Sequence, residues 1–301
     1  MASPQTLFVF IIFLCVIETF VSAQFTNFNK LVLPSGVTGP ESAAFGGLLV
    51  NGPFTTVTDG RIMKWQGPTV GFVDFAYTSP RRTKQLCDGN TDPNMGPICE
   101  RPLALSFHPA TSVLYITDAF FGLLVVGPIG GLATQLVGGF KDTTKPGFIP
   151  DSTGRFLRYN PLTRQVTVLL SGLSGGGGPA VSRDGTFVLV PELTAKRISK
   201  YWLVGPKANT AEVLINFGGN PNKIKRAGRF GEFWVAVSNG YIPPSPPLMP
   251  EGVRINSNGV VLQRVPFARE YVNVTISLVQ EQNGKLYVGS RLTNFIGVYS
   301  N

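Results

Sequence analysis

Two hydroxyl side chains lie two positions apart in the stretch NVTISLVQEQNGKLYVG, residues 273–289. The Asn-Gly pair within it is typical of a tight hairpin turn, so the stretch predicts two antiparallel strands. Because side chains alternate along a strand, Thr275 and Ser277 should share one face. A serine acts as a nucleophile only beside a base, normally a histidine. The single histidine, His108, lies in a predicted surface turn, so a Ser–His hydrolase is disfavoured.

An acidic side chain is the other candidate for chemistry. Glu192 follows the apolar run FVLVP, residues 187–191, which we assign to an inner strand. A glutamate in a cleft can act as a general base. Alternatively, it is a buried acid that accepts hydrogen bonds from neighbouring backbone amides. We favour the second interpretation.

The elements that would position these side chains recur along the chain. Paired apolar strands begin near residues 54, 113, 187, 233 and 286. Repeats of roughly 45–50 residues with about four strands each are typical of a β-propeller. The interval after residue 113 holds outer strands near 154–159 and 165–170 but no inner pair. We therefore predict an all-β, six-bladed β-propeller with an incomplete third blade; the alternative is a five-bladed ring with a long insertion.

The N-terminus indicates the secretory pathway. Residues 7–17 form an apolar run too short to span a bilayer comfortably, and Val-Ser-Ala at 21–23 resembles a cleavage site. We assign residues 1–23 to a signal peptide, with an uncleaved anchor as the alternative, and residues 24–301 to the propeller. No later run predicts stable membrane insertion. Asn273 begins an N-glycosylation sequon, which fits this route.

The cysteines and the charge narrow the function further. Cys87 and Cys99 are the two cysteines left after the signal peptide, and an oxidising compartment predicts a disulfide between them. Zinc is disfavoured because one histidine leaves too few ligands. The formal net charge is +9, but the basic residues are scattered without interleaved aromatics, so nucleic acid is not expected as a partner. A weak preference for acidic partners stays open.

Several stretches together resemble the plant strictosidine synthase and strictosidine-synthase-like family. They are GFVDFAYTSP, the loop between the cysteines, LYITDAFFGLLVVGPIGGLATQLV, STGRFLRYNPLTRQVTVLL, DGTFVLVPELTAKRISKYWLVGPKANTAEVL and QEQNGKLYVGS. The resemblance covers essentially the whole mature chain. It implies a six-bladed propeller, a Cys87–Cys99 disulfide and a vacuolar or extracellular location.

The resemblance also implies a reaction, and this sequence departs from it. Strictosidine synthase joins tryptamine to secologanin by a Pictet–Spengler condensation, for which a glutamate supplies the base. That position falls on Ser277 here, and a neighbouring family histidine falls on Thr275. A serine hydroxyl has no useful basicity near neutral pH. We therefore expect no strictosidine synthesis; the alternatives are an active synthase or ester hydrolase that uses Glu192 or Glu41, or a non-catalytic interaction protein.

A related class of propellers, the calcium-dependent lactonases and esterases, holds a calcium ion in the channel. The residues of this chain match that metal site only in part. Glu41 matches a calcium ligand of that class, but Pro179 and Lys223 replace others, and an ammonium group would oppose a divalent cation. We expect no metal and no other cofactor.

What is left is a channel for a small organic ligand, since propellers bind ligands where their inner strands converge. The predicted ligand-binding residues are Gly178, Pro179, Glu192, Leu193, Thr275 and Ser277.

Overall fold

The computed structural model describes residues 25–46, 52–138, 152–228, 231–239 and 248–301. Over these residues the chain is an all-β propeller, in which five blades of four or five strands surround a central axis. A further sheet has two strands. We name the blades A to E in chain order and give their strands from the axis outward.

The first half of the chain forms blades A and B. Blade A contains β2 (Ala43–Ala44), β3 (Phe54–Thr56), β4 (Ile62–Trp65) and β5 (Phe72–Tyr77), with β9 (Gly131–Leu132) parallel to β5. Blade B contains β6 (Pro102–Phe107), β7 (Leu114–Asp118), β8 (Gly122–Val126) and β10 (Thr134–Val137). The loop between the two blades carries the short helices α1 (Lys84–Cys87) and α2 (Gly96–Cys99), with a 3₁₀ turn at Pro93–Met95. The predicted disulfide joins Cys87 to Cys99 within this loop.

The second half forms the two-stranded sheet and the other three blades. The two-stranded sheet pairs β11 (Gly154–Tyr159) with β12 (Val166–Leu173). Blade C contains β13 (Ala180–Val181), β14 (Phe187–Glu192), β15 (Arg197–Trp202) and β16 (Ala211–Asn216). Blade D contains β17 (Asn220–Arg226), β18 (Glu232–Asn239), β19 (Met249–Asn256) and β20 (Val261–Pro266). Blade E contains β21 (Leu278–Gln282), β22 (Lys285–Gly289), β23 (Phe295–Ser300) and, outermost, β1 (Asn27–Val32).

The core lies between neighbouring blades. Phe54 of blade A packs edge-on against Phe107 of blade B, at 5.0 Å between ring centroids, and Leu278 of blade E lies in one apolar cluster with Met63 of blade A. Similar clusters join C to D and D to E. The two-stranded sheet packs through Leu173 on blade C. Within the described ranges, no apolar cluster joins it to blade B.

The predicted repeat is confirmed, and it corresponds to the second and third strands of each blade. The second strands β3, β7, β14, β18 and β22 begin at the predicted positions to within one residue. The position of Glu192 differs from the one predicted from the sequence. Glu192 ends β14, the second strand from the axis, and therefore does not lie on an inner strand.

The predicted hairpin over residues 273–289 is half correct. Asn283 and Gly284 both have positive φ, and Gln282 pairs with Lys285, as a two-residue turn requires. The first strand, however, begins only at Leu278: a turn ends at Asn273, which has a φ of 54°, and residues 274–277 belong to no strand. Ser277 is therefore the residue that enters the inner strand of blade E.

Candidate functional site

Residues from four blades lie at the end of the axis where the inner strands begin. Glu41 lies two residues before β2, Arg101 directly before β6 and Ser277 directly before β21. Lys223 lies in β17, and Arg291 follows β22. We call these five residues the axial cluster.

An ion pair between blades A and D lies at the centre of the axial cluster. The Lys223 Nζ donates to the Glu41 carbonyl oxygen at 3.2 Å and lies 3.4 Å from Glu41 Oε1. The Lys223 side chain is 6% exposed and that of Glu41 18% exposed. Burial lowers the pKa of Lys223, and the Glu41 carboxylate opposes this effect. The Lys223 ammonium group is thus paired with the Glu41 carboxylate, the one carboxylate of the axial cluster.

The Ser277 side chain is hydrogen-bonded to the backbone of the neighbouring blade. It is buried, and its Oγ donates to the Glu41 carbonyl oxygen at 2.8 Å, with a longer contact of 3.3 Å to the Gly289 carbonyl. The hydroxyl therefore ties blade E to blade A beside the ion pair. Thr275 is half-buried, and its carbonyl accepts a hydrogen bond from the Ser290 hydroxyl at 2.7 Å.

Gly178 lies against the axial cluster because it lacks a side chain. Its carbonyl accepts from the Ile224 amide at 2.9 Å, and its own amide donates to the Asn222 carbonyl at 3.1 Å. A Cβ at Gly178 would lie 2.8 Å from Lys223 Cγ. Glycine therefore allows the lysine stem to pass. Pro179, the next residue, is exposed.

Glu192 and Leu193 bond within and beside blade C, outside the axial cluster. Glu192 accepts hydrogen bonds from Arg197 Nε at 2.8 Å, the Ser199 hydroxyl at 2.7 Å and the Ser174 amide at 3.2 Å. Burial opposes ionisation of Glu192, but these hydrogen bonds and the charge of Arg197 outweigh it and lower the pKa of the carboxyl. Such an ionised, fully bonded carboxylate is a structural group and a poor proton acceptor. The Leu193 carbonyl accepts from the Asn220 side chain at 2.8 Å.

The other sequence candidates lie away from this cluster. His108 follows β6, at the opposite end of the strand from Arg101, and its Nδ1 lies 3.1 Å from the Thr111 hydroxyl in an exposed turn. Asn273 is exposed. Within the described part of the chain, no three His, Cys, Asp or Glu side chains are grouped as metal ligands would be. No helix of that part is long and apolar enough to cross a membrane.

Arg101 and Arg291 were not among the residues predicted from the sequence. The available signal was position: Arg101 lies just before an inner strand, as Glu41 and Ser277 do, at the end where the axial cluster forms. The Arg291 backbone lies at the same end. Its carbonyl oxygen would be 3.1 Å from a Cβ added at Gly39, which is two residues before Glu41.

These features define a β-propeller with a polar site at one end of its axis. A family model for strictosidine synthase matches residues 148–206. The strictosidine synthase-like protein 12 of Arabidopsis thaliana is 38% identical, covering 98% of this chain and 97% of its own length. Strictosidine synthase of Catharanthus roseus is 35% identical, covering 82% of this chain and 79% of its own length. The chain belongs to the strictosidine synthase-like family.

A solved structure agrees with the fold. A protein described as a putative gluconolactonase superposes with a TM-score of 0.62 over 93% of this chain and 92% of its own, at 12% identity. An identity this low supports the shared propeller fold alone.

Proposed function

We propose that this strictosidine-synthase-like protein binds a small organic ligand in its axial channel and does not catalyse the Pictet–Spengler condensation. One observation carries the proposal: Ser277, where the resemblance places the family's catalytic glutamate, donates its hydroxyl hydrogen to the Glu41 carbonyl. The nearby Glu41 carboxylate is paired with Lys223. A base for the condensation must be free to take a proton from an ammonium group, and neither group meets that need.

Incubation of the purified mature protein with tryptamine and secologanin tests the catalytic half of this proposal. We expect no strictosidine by mass spectrometry under conditions where the Catharanthus roseus enzyme forms it. Product formation that Glu41→Gln or Glu192→Gln abolishes would overturn the proposal and establish one of those acids as the base.

We further propose that the two-stranded sheet is the outer half of a sixth blade, the third in chain order, whose inner strand pair is missing. The alignment with the Arabidopsis relative has 329 positions, whereas 98% of 301 residues is about 295, so about 34 positions lack a residue here. A segment of about this length is ample for an inner strand pair of about six residues a strand, with its turn and connections. Inserting the relative's extra residues between 138 and 152 should raise the melting temperature, and no change would count against the proposal.

The secretory route is also a proposal, with the vacuole or the extracellular space as destination. Residues 1–23 lie outside the described residues. The exposure of Asn273 supports glycosylation, since an acceptor asparagine must be reachable. The protein expressed in plant cells should shift in mass on treatment with an endoglycosidase, and Asn273→Gln should abolish the shift. An unshifted wild-type protein would contradict this.

A further inference from the structure

We propose that the axial channel selects a ligand bearing a carboxylate, which is the opposite of the cationic amine that strictosidine synthase takes. This inference rests on the proposed ligand-binding function and names the chemical class of its ligand. It is carried by an excess of basic side chains at one end of the axis.

Three cationic residues of the axial cluster lie in or beside strands of three different blades. Lys223 comes from blade D, Arg101 enters blade B, and Arg291 leaves the second strand of blade E. Arg101 is half-buried and Arg291 is exposed. Among the described residues, neither guanidinium group has an ion-pair partner within salt-bridge distance. Both are therefore available to an incoming anion.

The acidic side chains near these cations already have ion-pair or hydrogen-bond partners within the protein. Glu41 is paired with Lys223 at 3.4 Å. Asp118 is buried beside Arg101, but its oxygens accept from the amides of Arg101, Phe120 and Phe121 and from the Thr78 hydroxyl. A carboxylate with this many donors is satisfied in place. The local balance is positive.

The charges of these groups act on one another, which supports their proximity. Burial and then the charge of Arg291 lower the pKa of Arg101, while Glu41 and Asp118 oppose the effect. Lys225, two residues beyond Lys223 in β17, has its pKa lowered to about 8 by burial and by the charge on Lys223. Like charges held close together favour an added anion, which relieves their repulsion.

Guanidinium groups suit a carboxylate in particular. The planar fork of an arginine can donate two parallel hydrogen bonds to the two oxygens of a carboxylate. An amine entering the same site would meet Lys223, Arg101 and Arg291 with no free carboxylate among the described residues of the axial cluster. The site would therefore repel the charge that the family's reaction requires.

Matched probes that differ only in charge test this inference. The first set is indole-3-acetate, indole-3-ethanol and tryptamine, and the second is benzoate, benzyl alcohol and benzylamine. Calorimetric titration of the mature protein should show each carboxylate binding at least about tenfold tighter than its neutral analogue. The amines should bind more weakly than the alcohols. Raising the salt concentration should weaken carboxylate binding alone.

Substitutions outside the ion pair keep the fold intact while they remove charge. Arg291→Gln and Arg101→Gln should each weaken carboxylate binding by about tenfold and leave alcohol binding unchanged. Lys285→Gln is the matched control, because Lys285 is exposed and begins β22, where it pairs with Gln282 at the end of β21 away from Ser277. It should leave both unchanged.

The outcomes separate this inference from the proposed function. Alcohols or amines that bind as tightly as the carboxylates would overturn the charge selection and leave ligand binding in place. Equal losses from Lys285→Gln and Arg291→Gln would overturn the assignment to the axial cluster. No binding by any of the six probes would overturn both proposals.

Discussion

Glu100, directly after the disulfide, is a buried acid that shares one hydroxyl with a second acid. The Thr78 hydroxyl contacts Glu100 Oε2 at 3.0 Å and Asp118 Oδ2 at 2.9 Å. Since a hydroxyl has a single hydrogen, it can donate to only one of them, and the other contact needs a proton on a carboxyl group. Burial raises the pKa of Glu100 to about 7, although hydrogen bonds from Thr78 and Ser79 and the charge of Arg82 oppose this.

A pH-dependent stability follows from the raised pKa of Glu100. Between the ordinary value of 4.5 and about 7, the folded state holds a proton that the unfolded state has lost. The free energy of unfolding should therefore fall as pH rises through this window, by about 3 kcal/mol in all. Glu100→Gln mimics the protonated acid and should lose this part of the pH dependence in urea unfolding at pH 5 and pH 8.

The control for that measurement is Glu212→Gln, which removes an exposed acid and should keep the wild-type difference between pH 5 and pH 8. An identical pH dependence in Glu100→Gln and the wild type would show that Glu100 does not titrate in this range.

At the scale of elements, charged groups fasten the loop with α1 and α2 to blade A, and the disulfide closes the loop on itself. Asp88 lies 3.5 Å from Arg61, which lies between β3 and β4 of blade A, and the Gly89 amide donates to Asp59 at 2.9 Å. Gly60, at a φ of 95°, leaves no room for a side chain, because a Cβ would lie 1.7 Å from the Cys99 carbonyl. The disulfide thus closes a loop whose two ends already pack on the blade.

Removing the disulfide should still cost stability, because it restricts the unfolded chain. The cysteines are 12 residues apart, and closure of so short a loop is worth roughly 2–3 kcal/mol. The double variant Cys87→Ser, Cys99→Ser should lose this amount in denaturant unfolding, and dithiothreitol should destabilise the wild type equally. If the reductant destabilised the double variant as well, its effect could not be assigned to this bond.

The strands and turns also show which features can be predicted from the sequence. The Asn283-Gly284 turn and the paired apolar runs are local signals, and their positions were predicted correctly. Glu192 was misplaced because an apolar run does not reveal whether its strand is first or second from the axis. Arg101 and Arg291 were missed because they lie in connections between strands, and only the arrangement of the blades around the axis places those connections at one end. The turn that ends at Asn273 was missed because no glycine marks it in the sequence. Asparagine can adopt a positive φ by itself.

At the scale of the whole molecule, the ring closes through its N-terminus. The outermost strand of blade E is β1, whose six residues pair with β23 from Asn27–Ser300 to Val32–Phe295. Phe28 packs 4.9 Å from the Tyr299 ring, measured between centroids, and Lys30 lies 4.3 Å above the Phe295 ring. The first described strand of the chain is therefore held by the last one.

A chain that begins at Leu33 should lose this closure. It would expose the edge of β23 and the apolar face under Phe28, so we expect a lower melting temperature and aggregation on size-exclusion chromatography. A peptide of residues 24–32 added in trans should restore both, because it supplies the missing strand edge. A scrambled peptide of the same composition is the control, since β1 must match β23 in register. A truncated chain as stable and monodisperse as the mature protein would mean that closure depends on the packing between blades alone.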